Sequence, residues 1–270
     1  MRKILIIGIG AGNPEHITVQ AINALNRVDA FFVTEKEAEQ AELSRQRRAI
    51  CERYVSGRNY RIVEIPDPPR DRTAAAYRDA VADWHARRRV VYERLIVAEL
   101  GEDQCGAFLV WGDPALYDST LRIVREIANG DGVELEYEVI PGISSIQALA
   151  ACHRIPLNEI GGSVHITTGR QLAGAGWPAG AHNVVVMLDG QCAFKHLTDA
   201  DIEIYWAAYL GMPDEITANG RIGDCADDIE RRRTEARNRK GWIMDTYLLK
   251  CASQGAVPDA SGQSSAKSTV

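Results

Sequence analysis

The segment Lys3-Ile-Leu-Ile-Ile-Gly-Ile9 is a continuous apolar run broken only by its glycine, the pattern of a strand buried on both faces of a parallel sheet. Downstream, Ile17, Ala21, Leu25 and Val28 recur at helical spacing. Asn13 or Thr18 stands where it can cap that helix, and Pro14 suits a first-turn position. Ala30-Phe-Phe-Val-Thr34 then reads as a second strand, so the chain opens with a strand-helix-strand unit. The Glu, Gln, Ala and Arg of Glu35 to Tyr54 favour helix, Arg61 to Ile65 is a short strand, and Pro68-Pro69 forces a break. A long helix is expected from about Thr73 to Leu100, and Gly106 to Trp111 is the next strand, ending in Gly112-Asp113-Pro114.

The second half has a different rhythm. Asp118 or Ser119 can cap a helix through Ile127 that stops at Asn129-Gly130, and Val133 to Ile140 alternates apolar and acidic residues like a strand with one wet face. Further strands are expected at Val164–Thr168, Val184–Leu188, Ile202–Tyr209, Glu215–Ile222 and Trp242–Leu249. Several follow one another with short links, so this half is expected to form a mixed sheet. The predicted class is α/β with two domains, 1–118 built on a mostly parallel sheet and 119–251 on a mixed one, followed by a tail at 252–270 too poor in apolar residues to order itself.

Composition narrows the function classes. The 31 Lys and Arg against 37 Asp and Glu give a net charge of -6, so no general attraction to a nucleic-acid backbone is expected. No apolar run is long enough to cross a bilayer, and Met1-Arg2-Lys3 leads straight into a strand without a cleavage signal, which predicts a cytoplasmic protein without a membrane partner. The six cysteines and six histidines are scattered without metal-ligand spacing, so no metal is expected.

Three turns carry candidate chemistry. Gly8-Ile-Gly10-Ala-Gly12-Asn-Pro14 follows a strand, as a dinucleotide loop does. Its third glycine, however, comes one residue early, with Asn13 where the fingerprint wants Gly. Gly10, Gly12 and Pro14 are therefore read as facing a substrate, with a purely structural turn as the alternative. Trp111-Gly112-Asp113-Pro114-Ala115-Leu116-Tyr117 stands at a strand's carboxyl end, where open α/β sheets bind ligands, and Asp113 can accept from an amine or a ribose hydroxyl. In Pro141-Gly-Ile-Ser144-Ser145-Ile-Gln147, Ser144 and Gln147 fit a capping box, and the same helix start could cradle a cofactor's polar groups. Arg170, after a strand, is a candidate clamp for a substrate carboxylate.

The order and spacing of Gly8-x-Gly-x-Gly-x-Pro14-x-x-x-Thr18, Gly112-Asp-Pro-x-x-Tyr117 and Ile140-Pro-Gly-Ile-Ser-Ser145 resemble the tetrapyrrole (corrin and porphyrin) methylases, and the similarity runs from Lys3 to about Lys250. Phe108 to Thr120, His165 to Gly169, Val184 to Gly190 and Gly241 to Tyr247 resemble the branch that methylates precorrin-5 at ring carbon 1. That branch releases the acetyl fragment as acetate, giving precorrin-6A in cobalamin biosynthesis. The resemblance implies two α/β domains with S-adenosylmethionine in the cleft between them, a tetrapyrrole substrate and a homodimer. It places the cofactor against Trp111, Gly112, Asp113, Leu116, Ser144 and Ser145, with Leu188, Asp189 and Leu210 matching further contacts. At that last group relatives have Tyr-Met-Gly where this chain has Leu188-Asp189-Gly190.

Deacetylation also asks for a group that positions or deprotonates water, and Asp189, Tyr209, Asp245 and Tyr247 are candidates by their places near strand ends. Two alternatives stay open. One is a methylase of the same fold acting on another precorrin or on RNA, and the other is a nicotinamide-dependent oxidoreductase built on the Gly8 loop.

Overall fold

The computed structural model describes residues 1–35, 41–66, 68, 77–197 and 201–251. The expected tail at 252–270 lies outside the described residues. The chain divides into two compact units, Met1–Ser145 and Ile146–Val270.

The first unit holds strands β1 (Arg2–Gly8), β2 (Ala30–Glu35), β3 (Arg61–Pro66), β4 (Cys105–Val110) and β5 (Leu135–Ile140) in the order β3-β2-β4-β1-β5, and every pairing is parallel. Period-two alternation along β1 feeds two cores, as a sheet covered on both faces requires. Ile4 and Ile6 pack with Phe32, Phe108, Tyr92, Ile96 and Ile123 on one face, against helices α3 (Tyr77–Glu99) and α4 (Thr120–Ala128). Leu5 and Ile7 pack with Phe31, Ala21, Leu25 and Ile50 on the other, against α1 (Val19–Leu25) and α2 (Ala41–Tyr54). Phe108 stacks between Phe32 and Tyr92, with ring centroids at 5.2 and 4.7 Å.

Both candidate caps near the start are used. Thr18 accepts the Ala21 N–H at 3.0 Å and starts α1, while Asn13 accepts the Glu15 N–H at 2.9 Å and starts a one-turn 3-10 helix at Pro14–His16. At α4 it is Asp118, not Ser119, whose side chain accepts from the Thr120 N–H, at 2.6 Å.

One expectation shifts. The alternating strand near residue 135, placed in the second domain by the sequence reading, is β5 and pairs with β1 from Arg2↔Leu135 to Ile7↔Ile140. The division therefore falls after residue 145 rather than at 118/119. Alternation marked β5 as a strand with one wet face, and it stands at the edge of the first sheet; sequence spacing does not say which sheet offers such a strand a free neighbour.

The second unit holds α5 (Ser145–His153), β6 (Val164–Thr168), α6 (Gly169–Ala175), β7 (Asn183–Met187), β8 (Ile202–Ala208), β9 (Ile216–Arg221), α7 (Ile222–Lys240) and β10 (Asp245–Cys251). The strands run in the order β6-β7-β10-β8-β9, with β6 parallel to β7 and the remaining pairs antiparallel. This is the mixed sheet that the short links implied. Helix α7 buries Ile222, Ala226, Ile229, Arg233 and Ala236, one stripe at helical spacing, and Gly241 in the left-handed region (φ 79°) closes it by donating to Arg237 O at 2.7 Å. Among the described residues, no helix is long and apolar enough to cross a membrane.

Candidate functional site

Strands β4, β1 and β5 are neighbours and run parallel, so their carboxyl ends bring the three sequence turns together along one margin of the first sheet. Backbone bonds carry the pairing past the strands. Ile9 N donates to Val110 O at 2.9 Å, Gly112 N donates to Gly10 O at 2.8 Å, and Gly10 and Gly112 form a bridge. The turns approach so closely that a Cβ on Gly142 would lie 2.1 Å from Gly112 O and 2.8 Å from Gly8 Cα, a space no side chain can share. Gly112 itself sits at φ 64°, a left-handed conformation costly for a residue bearing Cβ.

Asp113 binds these turns to one another. Its Oδ1 accepts the Ala115 N–H at 2.8 Å and its Oδ2 accepts the Gly142 N–H at 2.9 Å, so one carboxylate spans the turns after β4 and β5. Each oxygen keeps a further lone-pair direction, which is what a ligand hydroxyl or amine could use. Leu116 N closes the turn on Asp113 O at 3.2 Å, and Ser144 is buried beside Gly112, its Cα 3.4 Å from the position of a Gly112 Cβ. Gly10 and Gly12 are buried, and Tyr54 donates its hydroxyl to Pro14 O at 3.1 Å, fixing the glycine loop to α2. The structure thus brings together Gly10, Trp111, Gly112, Asp113, Leu116 and Ser144, with Gly12, Pro14 and Ser145 in the same three loops.

Behind the Trp111 turn lies a feature the sequence reading missed. Arg47 of α2 donates Nε to Leu109 O at 3.1 Å and Nη1 to Leu43 O at 3.4 Å, and its guanidinium carbon lies 5.5 Å from the Trp111 ring centroid. Burial pushes its guanidinium down to about 10, with attraction from Asp118 opposing and repulsion from Arg88 assisting. The Trp111 indole Nε1 is buried and has no hydrogen-bond partner among the described residues.

In the second unit the four groups weighed as water activators are each engaged in hydrogen bonds within the fold. Asp189, at the end of β7, turns inward: it accepts from Gln191 N (2.9 Å), Ala193 N (2.7 Å) and the Tyr247 hydroxyl (2.6 Å). Asp245 accepts from Arg233 Nε at 2.9 Å and from Trp206 Nε1 at 3.0 Å, while Arg233 also donates to Asp189 O at 2.5 Å. Tyr209, fully buried at φ 54°, donates to Trp242 O at 2.7 Å. Burial raises the Tyr247 phenol far above its ordinary range, with the Asp189 carboxylate adding to it. Burial also holds the Asp245 carboxyl above the usual carboxylate range, against the pull of Arg233. Groups this enclosed and this fully engaged are poor bases for an outside water.

Leu188 behaves in the opposite way to Asp189. It is 66% exposed at φ 53°, so the turn after β7 presents an apolar side chain and strained backbone outward while its neighbour anchors it from within. Leu210 is buried between the left-handed Tyr209 and Gly211. Arg170 is exposed in the first turn of α6, whose cap is Thr168.

Comparison with known proteins defines the class. Residues 3–226 match the model of the Tetrapyrrole (Corrin/Porphyrin) Methylases; the chain belongs to that family and is a methyltransferase. Among its relatives, the precorrin-6A synthase [deacetylating] of a Sinorhizobium species is 54% identical over 250 residues, covering 93% of this chain and 95% of the relative. The crystal structure of a cobalamin synthesis related protein, CobF, from Corynebacterium diphtheriae superposes with a TM-score of 0.78 at 36% identity, over 93% of this chain and 98% of that one. A uroporphyrin-III C-methyltransferase from Thermus thermophilus, at 18% identity and a TM-score of 0.57 over 92% and 91% of the two chains, shares the fold.

Proposed function

We propose that this chain transfers a methyl group from S-adenosylmethionine to ring carbon 1 of precorrin-5 and releases the acetyl fragment as acetate, giving precorrin-6A in cobalamin biosynthesis. The observation that carries this reading is the 54% identity to the precorrin-6A synthase across nearly the whole of both chains, with the three motif turns locked together in the first unit. The first-unit turns fit a polar, hydroxyl-bearing cofactor. The Gly112 face beside Ser144 bears no side chain, and Asp113 keeps lone pairs beyond those its two backbone N–H donors occupy. Bound there, the cofactor supplies an electrophilic methyl group on a sulfonium.

The protein's work is then positional. An electron-rich macrocycle needs no protein nucleophile, so orientation carries most of the rate of the methyl-transfer step. In this reading the main chain of residues 112–116 and the Ser144 hydroxyl orient the donor, and Asp113 accepts its hydroxyl hydrogens. Gly10, Gly12 and Pro14 face the macrocycle, and Arg170 takes one of its carboxylates. Asp189, Tyr209, Asp245 and Tyr247 hold the second-unit turns and do not touch the reacting water. A cytoplasmic homodimer acting on a small molecule accords with the family resemblance, and a net charge of -6 gives no general attraction to nucleic acid.

Incubation with methyl-labelled S-adenosylmethionine and precorrin-5 tests the reading: label in the macrocycle and stoichiometric acetate are expected. Methylation of another precorrin without acetate release would refute it. Tight binding of NADH, with no binding of S-adenosylhomocysteine, would end the methylase assignment for this site.

A further inference from the structure

A cation drawn partly out of water without an anion is costly for a fold to keep, and half-buried Arg47 forms no ion pair among the described residues. A guanidinium offers five N–H donors, and among the described residues Arg47 donates to two main-chain carbonyls, Leu109 O and Leu43 O. Asp118, the carboxylate whose charge favours it, is tied to the Thr120 N–H at 2.6 Å and forms no ion pair with it. Arg88, a buried guanidinium 4.5 and 5.2 Å from the Trp84 and Tyr92 ring centroids, donates to Ser119 Oγ at 3.0 Å and repels Arg47. Close by, the buried Trp111 Nε1 points a donor at no acceptor. The indole N–H asks for an acceptor and the guanidinium for an anion, and among the described residues the first has no hydrogen bond and the second no ion pair.

We propose that Arg47 and the Trp111 indole N–H form a receptor for one ligand carboxylate at the carboxyl end of β4. The planar fork of Arg47 matches a carboxylate's two oxygens, and the indole, which can only donate, supplies a third hydrogen bond. The Arg47 guanidinium, 5.5 Å from the Trp111 ring centroid, places that carboxylate one residue from Gly112. Two sources of it are compatible with the function proposed above, on which this assignment rests for the ligand's identity. They are a peripheral acid chain of the tetrapyrrole and the α-carboxylate of the cofactor's methionine portion.

The test uses the full chain as wild type, Arg47→Met, Arg47→Lys and Trp111→Phe. Each is titrated separately with S-adenosylhomocysteine and with uroporphyrin III, a stable tetrapyrrole carrying carboxylates on every ring, and its melting temperature is recorded. Arg47→Met is expected to weaken one of the two ligands by roughly 30- to 100-fold and to leave the other within about threefold. Arg47→Lys, which keeps the charge and loses the fork, is expected to fall between. Trp111→Phe is expected to weaken the same ligand by about fivefold, one neutral hydrogen bond.

Loss confined to uroporphyrin assigns the site to a substrate acid chain, and loss confined to S-adenosylhomocysteine assigns it to the cofactor. Unchanged affinity for both overturns the proposal. So does equal weakening of both with a matching fall in melting temperature, the signature of an arginine that only props up Leu109. Should Arg47→Met not fold, Arg47→Lys and Trp111→Phe decide by the same criterion. Wild-type protein that binds uroporphyrin but not S-adenosylhomocysteine would refute the methyl-donor reading while leaving the arginine site to be judged on uroporphyrin. Binding of neither would refute both.

Discussion

Replacing Arg233 with Met leaves Asp245 as a buried carboxylate whose remaining donor in this network is the Trp206 indole at 3.0 Å. The pair is enclosed, with side-chain exposures of 8% and 5% and a contact of 2.9 Å. Removing one partner of such a pair costs about 3–5 kcal/mol, because the survivor's charge stays buried. The Arg233 bond to Asp189 O is lost as well, adding about 1 kcal/mol. At about 2–4 °C per kcal/mol, the melting temperature should fall by roughly 10–20 °C at neutral pH.

The pH dependence has a definite sign. Asp245 already sits above the usual carboxylate range, burial outweighing the opposing pull of Arg233. A carboxyl raised in the folded state contributes its stability below its unfolded value and loses it as pH rises through the folded value. Without Arg233 the folded value climbs further, so the deficit of Arg233→Met should shrink as pH drops from about 8 to about 5. Adding Asp245→Asn, which keeps an acceptor for Trp206 and removes the charge, should recover most of the loss and flatten the pH profile. Thermal melts of wild type and the single and double variants across that range provide the measurement. A deficit under about 1 kcal/mol, or a double variant no more stable than Arg233→Met, would refute this account of the network.

Gly142→Ala would force a methyl group to within 2.1 Å of Gly112 O. It should cost about 1–3 kcal/mol, as overpacking does, and lower methyl transfer far more than the melting temperature indicates, checked by parallel melts and turnover. Asp113→Asn places an amide NH2 against one of the backbone N–H groups of Ala115 or Gly142. Calorimetric titration should show weaker S-adenosylhomocysteine binding, with a stability loss of about 1–2 kcal/mol; undiminished affinity would remove Asp113 from the site.

Apolar periodicity made the first sheet legible: β1 to β4 fall where continuous or alternating runs predicted them, because burial on both faces leaves an unambiguous record in sequence. Helix α7 went unpredicted: its buried stripe Ile222, Ala226, Ile229, Arg233, Ala236 is diluted by the arginines and acids between. Arg47, half-buried between Leu43 and Ile50 on α2, is hidden in the same way, a charge set in an apolar stripe amid other arginines. The off-register glycines of the first loop were informative in the other direction, since their spacing alone argues against a dinucleotide. For Asp189, Tyr209, Asp245 and Tyr247, position near a strand end says nothing about which way a side chain turns, so their internal hydrogen bonds were not legible in the sequence.

The carboxylate that spans the turns after β4 and β5, together with the bridge from Gly10 to Gly112, makes three segments far apart in the chain mechanically a single part. A change of substrate engineered by transplanting one of these loops from a relative would carry in half of a joint whose other halves remain. The practical unit of exchange in this scaffold is the whole trio, moved at once.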